Sequence, residues 1–176
     1  MEETNNKTVH SSFWANIFKN PTEKTDLKMS LRSIPLFESL RKRDISLLLN
    51  IIHGRNYLSG EYIFYQGDPG IGLYVIREGE VQISRSGTNG MEINLATFKK
   101  GDFFGELALV DGEKRSASAI AKTDVKAVVI FKPDLDEFIE KYPKKGIKVL
   151  KGISNIIARR LRILNEDYFS LQSNRK

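Results

Sequence analysis

The hydrophobic period of the chain changes twice along its length, and this change constrains what the chain can fold into. Residues 27–52 carry apolar side chains at spacings of three and four, which predicts helices. Residues 55–131 alternate apolar and polar positions in short runs, which predicts strands. From Pro133 the helical spacing returns and continues to Tyr168. We therefore expect a strand core that is flanked by N-terminal and C-terminal helices.

Glycine-containing turns divide the strand region into pieces. They stand at Ser59-Gly60, residues 67–70, Glu78-Gly79, residues 87–90 and Lys100-Gly101. About eight short strands at this spacing favour an antiparallel sandwich or barrel. The predicted fold class is mainly β with flanking α-helices, the last of which is long.

We divide the chain into three predicted segments. Residues 1–26 form a flexible N-terminal tail with a short aromatic helix that ends at Pro21, and residues 27–132 form the strand domain with its N-terminal helices. Residues 133–176 form C-terminal helices that serve as hinge, lid or dimerisation element. The aromatic segment of the tail is either a flap that packs on the core or a docking surface. Weak membrane association is one such use, through Phe13-Trp14-Ile17-Phe18.

Composition excludes several classes of protein. The 176 residues include no cysteine, which rules out disulfides, thiolate metal sites and cysteine nucleophiles. The polar N-terminus is followed by no apolar run long enough for a signal peptide or a membrane span. Both observations suit a reducing compartment, and we predict a cytoplasmic location.

The net charge of +6 is unevenly spread. Residues 141–176 hold ten Lys/Arg against two acidic residues, Glu166 and Asp167, so the basic surplus lies in the C-terminal segment. A solvated helix face is the ordinary explanation. Contact with an acidic partner, a nucleic acid or an anionic membrane is the alternative.

Enzyme chemistry finds little support in the sequence. The two histidines, His10 and His53, are far apart, and no cluster of histidines and carboxylates suggests a metal centre. We find no Ser-His-Asp arrangement either. The chain is predicted not to be an enzyme.

One stretch, GDFFGELALVDGEKRSAS at residues 101–118, combines groups that suit a phosphate and a hydroxyl. Gly105 precedes a helical turn whose free N–H groups can bind an anion. The forked guanidinium of Arg115 suits a phosphate with two exposed oxygens, and Ser116 adds a hydroxyl donor beside the small Ala117. The carboxylate of Glu106 would accept a hydrogen bond from a sugar hydroxyl. The alternative is a buried Glu106–Arg115 ion pair that only closes the loop.

The order of residues in this stretch resembles the phosphate-binding cassette of the cyclic nucleotide-binding domain family. The matching residues are Phe104-Gly105-Glu106-Leu107-Ala108-Leu109 followed by Arg115-Ser116-Ala117-Ser118, which we call the cassette. Residues 34–37, the glycine-punctuated strands and residues 158–161 resemble other parts of the family, so the similarity covers about residues 31–168. It implies an antiparallel, jelly-roll-like β-roll with flanking helices.

The resemblance also implies a role for each cassette residue. Glu106 would take the ribose 2′-hydroxyl, and Arg115 would take the exocyclic phosphate oxygens. Backbone amides of residues 105–108 and the Ser116 hydroxyl would complete the phosphate site. The full set of implied ligand-binding residues is Phe104, Gly105, Glu106, Leu107, Ala108, Arg115, Ser116, Ala117, Leu164 and Asn165. Many members have proline immediately before the arginine, whereas Lys114 stands here. The catabolite activator type also lacks that proline. The loop is therefore expected to be less preorganised.

The implied function is a receptor for cyclic AMP or cyclic GMP that uses no cofactor. It would signal to an unknown effector protein through its C-terminal helix. That helix carries an apolar stripe, Leu150, Ile153, Ile157, Leu161, Leu164 and Tyr168. By resemblance the stripe pairs with its mate in a homodimer and brings Leu164 and Asn165 near the purine; the alternative is a monomer whose helix folds back as a lid.

Two further expectations concern partners. The segment after the long helix has no room for a helix-turn-helix domain, so sequence-specific DNA binding is not expected. The competing hypothesis for the whole chain is an interaction or membrane-associated adaptor with the same fold whose site takes no cyclic nucleotide.

Overall fold

The computed structural model describes residues 21–87 and 90–173, so the aromatic segment at residues 13–18 and His10 lie outside the described part. The N-terminal helices are α1 (Pro21–Ser33), a 3-10 helix (Pro35–Phe37), α2 (Lys42–Leu48) and a second 3-10 helix (Leu49–Ile51). The predicted short aromatic helix before Pro21 therefore also lies outside the described residues.

Eight strands in the described part of the chain form two antiparallel sheets. They are β1 (Ile52–Tyr57), β2 (Tyr62–Phe64), β3 (Gly72–Glu78), β4 (Glu80–Ser86), β5 (Glu92–Lys99), β6 (Phe103–Phe104), β7 (Ser118–Ala121) and β8 (Val125–Phe131). One sheet has the order β1-β8-β3-β6 and the other β2-β7-β4-β5. The predicted antiparallel β-roll with flanking helices is confirmed.

Strand β8 shows why the core has two parts. Its side chains alternate between the two faces of the sheet. Val125, Ala127 and Val129 pack in the cluster between the sheets. Val128 and Ile130 belong to the second cluster, which lies between this sheet and the helices. A strand buried on both faces therefore ties the helices to the roll.

The C-terminal part consists of α3 (Lys132–Lys141) and α4 (Pro143–Ser173). The break falls before Pro143, because proline disfavours helical geometry in the residue that precedes it. Helix α4 approaches the rest of the molecule through two glycines. A Cβ atom at Gly152 would lie 2.0 Å from the Leu36 carbonyl oxygen, and one at Gly146 would lie 2.9 Å from Ile139. None of the helices in the described residues is long and apolar enough to cross a membrane.

The apolar stripe of α4 is only partly covered. Ile153 is fully buried, whereas Leu161, Leu164 and Tyr168 are more than half exposed. The buried line of the helix runs instead through Gly146, Val149, Gly152, Ile153 and Ile156. Residues 161–173 are all exposed, so this end of the helix projects beyond the roll.

Candidate functional site

Strand β6 leads the cassette into a tight turn at Gly105. Gly105 has φ 79°, in the left-handed region, and it precedes a 3-10 helix, Glu106–Leu109. A Cβ atom there would lie 2.7 Å from Arg115 Nη1 and 2.9 Å from the Gly72 carbonyl oxygen. Glycine is therefore required both by the backbone angle and by the close approach of Arg115. Because a four-residue 3-10 turn has little macrodipole, any anion binding here depends on individual amides.

A cavity of about 350 Å³ opens between the cassette and the inner face of the β2-β7-β4-β5 sheet. It is lined by Phe64, Ile83, Ala96, Phe98, Phe104, Gly105, Glu106, Leu107, Ala108, Asp111, Glu113, Lys114, Arg115, Ser116, Ala117 and Arg160. Pockets for small ligands have volumes of roughly 300–1,000 Å³, so this one suits a single compact molecule. The structure thus brings the eight cassette residues that were predicted to bind the ligand, residues 104–108 and 115–117, to one cavity.

Arg115 is a buried cation, with 7% of its surface exposed. Its Nη2 donates to the Gly72 carbonyl oxygen at 2.9 Å and its Nη1 to the Gly105 carbonyl oxygen at 3.3 Å. Its buried Nε has no hydrogen-bond partner among the described atoms. Burial lowers the pKa of the guanidinium, although nearby Tyr74, Asp68 and Glu106 oppose that shift. Arginine stays protonated at neutral pH, so the wall of the cavity carries a positive charge.

Glu106 is also buried, with 2% of its side chain exposed, but its partner is Arg160. Nη1 of Arg160 donates to the Glu106 carboxylate, and Nη2 donates to the Phe103 carbonyl oxygen at 3.4 Å. The alternative of a Glu106–Arg115 ion pair is wrong for the described structure, because Glu106 pairs with a residue of α4. Arg115 is left without a carboxylate partner among the described residues.

The sequence pattern did not identify Arg160 as a site residue. It entered only as one of residues 158–161, which resemble another part of the family. Arg160 stands four and seven positions after Ile156 and Ile153, which are buried. Residues at these spacings share one helix face, so the pattern places the guanidinium on the side that packs against the roll. A charged residue in line with a buried helix face was the signal that could have found it.

Backbone hydrogen bonds hold the loop that carries Arg115. The Arg115 amide donates to the Asp68 carbonyl oxygen at 2.8 Å, and the Gly67 amide donates to the Arg115 carbonyl oxygen at 2.9 Å. The Gly70 amide donates to the Glu113 carbonyl oxygen at 3.1 Å. These bonds attach both ends of the segment 113–115 to the turn at residues 67–70. They restrain the loop although Lys114, and not proline, precedes Arg115.

The structure does not bring Leu164 and Asn165 to the cavity. Both side chains are exposed on the projecting part of α4, and Leu164 has 62% of its surface accessible. Neither lines the cavity of the single chain. A contact with the purine would need a movement of α4 or a second chain, so their role stays a prediction.

His53 has a structural environment. Its Nε2 lies 2.8 Å from Oδ2 of Asp134, near the start of α3, and its ring lies 5.1 Å from that of Phe131. Within residues 21–87 and 90–173, no group of three or more histidine and acidic side chains could hold a metal ion.

Comparison with known proteins identifies the family of the chain. Residues 54–142, half of the chain, match the family model described as "Cyclic nucleotide-binding domain". The chain belongs to the cyclic nucleotide-binding domain family. The family resemblance read from the cassette is thereby confirmed.

Relatives within this family include bacterial and fungal regulators. The chain is 36% identical over 132 residues to the Cyclic AMP receptor protein of Thermus thermophilus, covering 75% of this chain and 59% of that protein. It is 35% identical over 130 residues to the cAMP-dependent protein kinase regulatory subunit of Aspergillus niger, covering 74% of this chain and 28% of that protein. The crystal structure of Thermus thermophilus catabolite activator protein superposes with a TM-score of 0.70 at 36% identity, over 78% of this chain and 63% of that one. The chain thus spans well under two thirds of the length of both curated relatives.

Proposed function

We propose that the protein is a non-enzymatic receptor for a cyclic nucleotide, with cyclic AMP or cyclic GMP as ligand and no cofactor. The observation that carries this proposal is Arg115, a buried cation with an unpartnered Nε at a cavity of one nucleotide's size. A buried charge without an ionic partner is costly unless something compensates it, and a ligand phosphate would. The names of the relatives, Cyclic AMP receptor protein and cAMP-dependent protein kinase regulatory subunit, favour cyclic AMP. We place the receptor in the cytoplasm, in keeping with the absence of cysteine.

The lining of the cavity suggests how the ligand would lie. Arg115 and Ser116, with the amides of residues 105–108, would bind the phosphate at the wall that the cassette forms. Glu106 would accept a hydrogen bond from the ribose 2′-hydroxyl, because a buried carboxylate has acceptor capacity beyond the Arg160 bond. The purine would then lie along the apolar wall of Ile83, Ala96 and Phe98. Leu164 and Asn165 would reach the base only after α4 closes or from a second chain.

The signal would leave through α4. Arg160 connects that helix to Glu106, so a ribose hydroxyl on Glu106 changes the environment of the ion pair. If α4 exchanges between two positions, the ligand shifts their equilibrium only by the difference between its affinities for the two states. The exposed end of α4, with Leu161, Leu164 and Tyr168, would contact the effector protein or a second copy of the chain.

Thermal unfolding with and without nucleotides tests the proposal. Cyclic AMP, cyclic GMP, linear 5′-AMP and adenosine are added at equal concentrations. A ligand at about 100 times its Kd stabilises the folded state by roughly 2.7 kcal/mol, so a cyclic nucleotide should raise Tm by several degrees. The linear nucleotide and the nucleoside should raise it much less. If none of the four ligands raises Tm, the chain is not a cyclic nucleotide receptor.

An adaptor that binds an acidic partner is the second candidate function, and the charge of α4 favours it. From Pro143 to Asn165 the helix contains seven Lys/Arg and no acidic residue. Lys144, Lys148, Lys151 and Arg162 recur at helical spacing along one face. Binding of duplex DNA or anionic vesicles that falls steeply with salt would support this function. Equal binding of neutral and anionic vesicles, with no binding of DNA, would rule it out.

A further inference from the structure

Two aromatic rings take the place that a carboxylate would usually have beside Arg115. The Cζ atom of Arg115 lies 4.1 Å from the centroid of the Phe64 ring and 5.6 Å from that of Tyr74. A cation over the face of an aromatic ring within about 6 Å is attracted by the negative face of the ring. Phe64 is the nearer ring, and it also lines the cavity.

The rest of the contacts of Arg115 fix the direction of its donors. The Gly72 and Gly105 carbonyl oxygens accept from Nη2 and Nη1, which leaves Nε as the buried nitrogen without a partner. The ring of Phe64 restrains the remaining freedom, rotation of the guanidinium plane. Carbonyl oxygens at its edge and a ring over its face together define one orientation.

Phe64 is itself held by neighbouring rings. Its centroid lies 5.6 Å from that of Tyr74 and 5.9 Å from that of Phe104, with tilted geometry in both cases. Strand β2 pairs with β7 at this point, where Phe64 is opposite Ala119. The ring therefore has little room to move away from the guanidinium.

We propose that Phe64 is a positioning residue for the ligand phosphate. Its face stabilises the buried charge of Arg115 and holds the guanidinium plane in place at the wall of the cavity. A carboxylate in this place would also stabilise the charge, but it would compete with the phosphate for the same donors. An aromatic face accepts no strong hydrogen bond, so it leaves these donors to the ligand. This inference rests on the proposed function for the identity of its ligand.

Fluorinated phenylalanines at position 64 test the electrostatic role without removing the ring. One, two and three fluorines withdraw increasing electron density from the face while the ring largely keeps its shape. We expect the affinity for cyclic AMP to fall stepwise, by about threefold to thirtyfold across the series. The matched control is the same series at Phe138, which is buried beside Tyr142, does not line the cavity and has no cation over its ring among the described contacts. The affinity for cyclic AMP should stay constant across the Phe138 series.

A readout without ligand separates this inference from the proposed function. In ligand-free protein the Phe64 series should lower Tm stepwise, and in an Arg115→Met background it should not. This result would support the contact between Phe64 and Arg115 even if no cyclic nucleotide bound. Constant affinity across the Phe64 series, an equal fall across the Phe138 series, or the same loss of Tm in the Arg115→Met background would overturn the proposal.

Discussion

Glu106 and Arg160 are 54 residues apart in sequence and form an ion pair at the wall of the cavity. The carboxylate lies in the cassette and has 2% of its side chain exposed, whereas the guanidinium comes from α4 and is 41% exposed. The cassette and the long helix thus share one charge pair. A change at Glu106 has a direct route to α4.

The first prediction concerns the stability that this pair contributes. Removing one partner of a buried ion pair costs roughly 3–5 kcal/mol, and the exposure of Arg160 reduces this to about 1–2 kcal/mol. Arg160→Met should lower the free energy of unfolding in urea by that amount. Arg159→Met is the control, because Arg159 is an exposed neighbour and should change stability by less than about 0.5 kcal/mol. Equal effects of the two substitutions would show that Glu106 does not depend on Arg160.

Two glycines with similar backbone angles allow a matched test of the turn. Gly105 has φ 79° and Gly101 has φ 92°, but a Cβ atom at Gly101 would meet no atom within 4 Å. Both alanine substitutions should lower stability through backbone strain of about 1 kcal/mol or more. Only Gly105→Ala should also displace Arg115 and weaken cyclic nucleotide binding, measured by fluorescence competition. Comparable loss of binding in Gly101→Ala would mean that strain alone, and not the contact with Arg115, explains the effect.

The sequence predicted most of the fold because its signals were local. Turns such as residues 67–70 and Lys100-Gly101 separate strands in the structure as they do in the prediction. The buried line of α4 was missed because two of its members, Gly146 and Gly152, carry no hydrophobic signal and act by allowing close approach.

Part of the candidate site could likewise be predicted from local sequence, whereas the rest depends on contacts between distant residues. The cassette residues all lie within residues 104–118, so their arrangement around one cavity could be predicted from their order. Arg160 could not be placed, because its contact depends on how α4 crosses the roll. Phe64 was read only as a strand residue for a related reason: its partner, Arg115, is 51 positions away and meets it through the pairing of β2 with β7.

Glu106→Gln tests the proposed recognition of the ribose. The amide keeps one acceptor oxygen but loses the charge, so cyclic AMP affinity should fall by less than it does in Arg115→Ala. The measured quantity is the ratio of affinities for cyclic AMP and its 2′-deoxy analogue, which should be smaller in the variant than in the wild type. If the wild-type protein binds both ligands equally, Glu106 has no role in reading the 2′-hydroxyl.

The exposed stripe of α4 leads to a prediction about assembly. Leu161 and Leu164 are 57% and 62% exposed in the single chain, so an aspartate at either position costs a monomer little. In a dimer formed through this stripe the charge would be buried, and Leu161→Asp or Leu164→Asp should dissociate it. Light scattering at several concentrations, with and without cyclic AMP, reports the mass. Asn155→Asp, on another face of the helix, is the control and should leave a dimer intact; a wild-type monomer at every concentration contradicts the dimer.

Calorimetric titration of the wild-type chain and Arg115→Lys with cyclic AMP tests the central claim most directly. The wild type should bind one nucleotide per chain in a saturable transition. Arg115→Lys keeps the charge but loses the fork, so its affinity should fall by about tenfold to hundredfold while its circular dichroism spectrum is unchanged. Wild-type affinity in Arg115→Lys, or no saturable heat with either cyclic AMP or cyclic GMP in the wild type, would contradict the account.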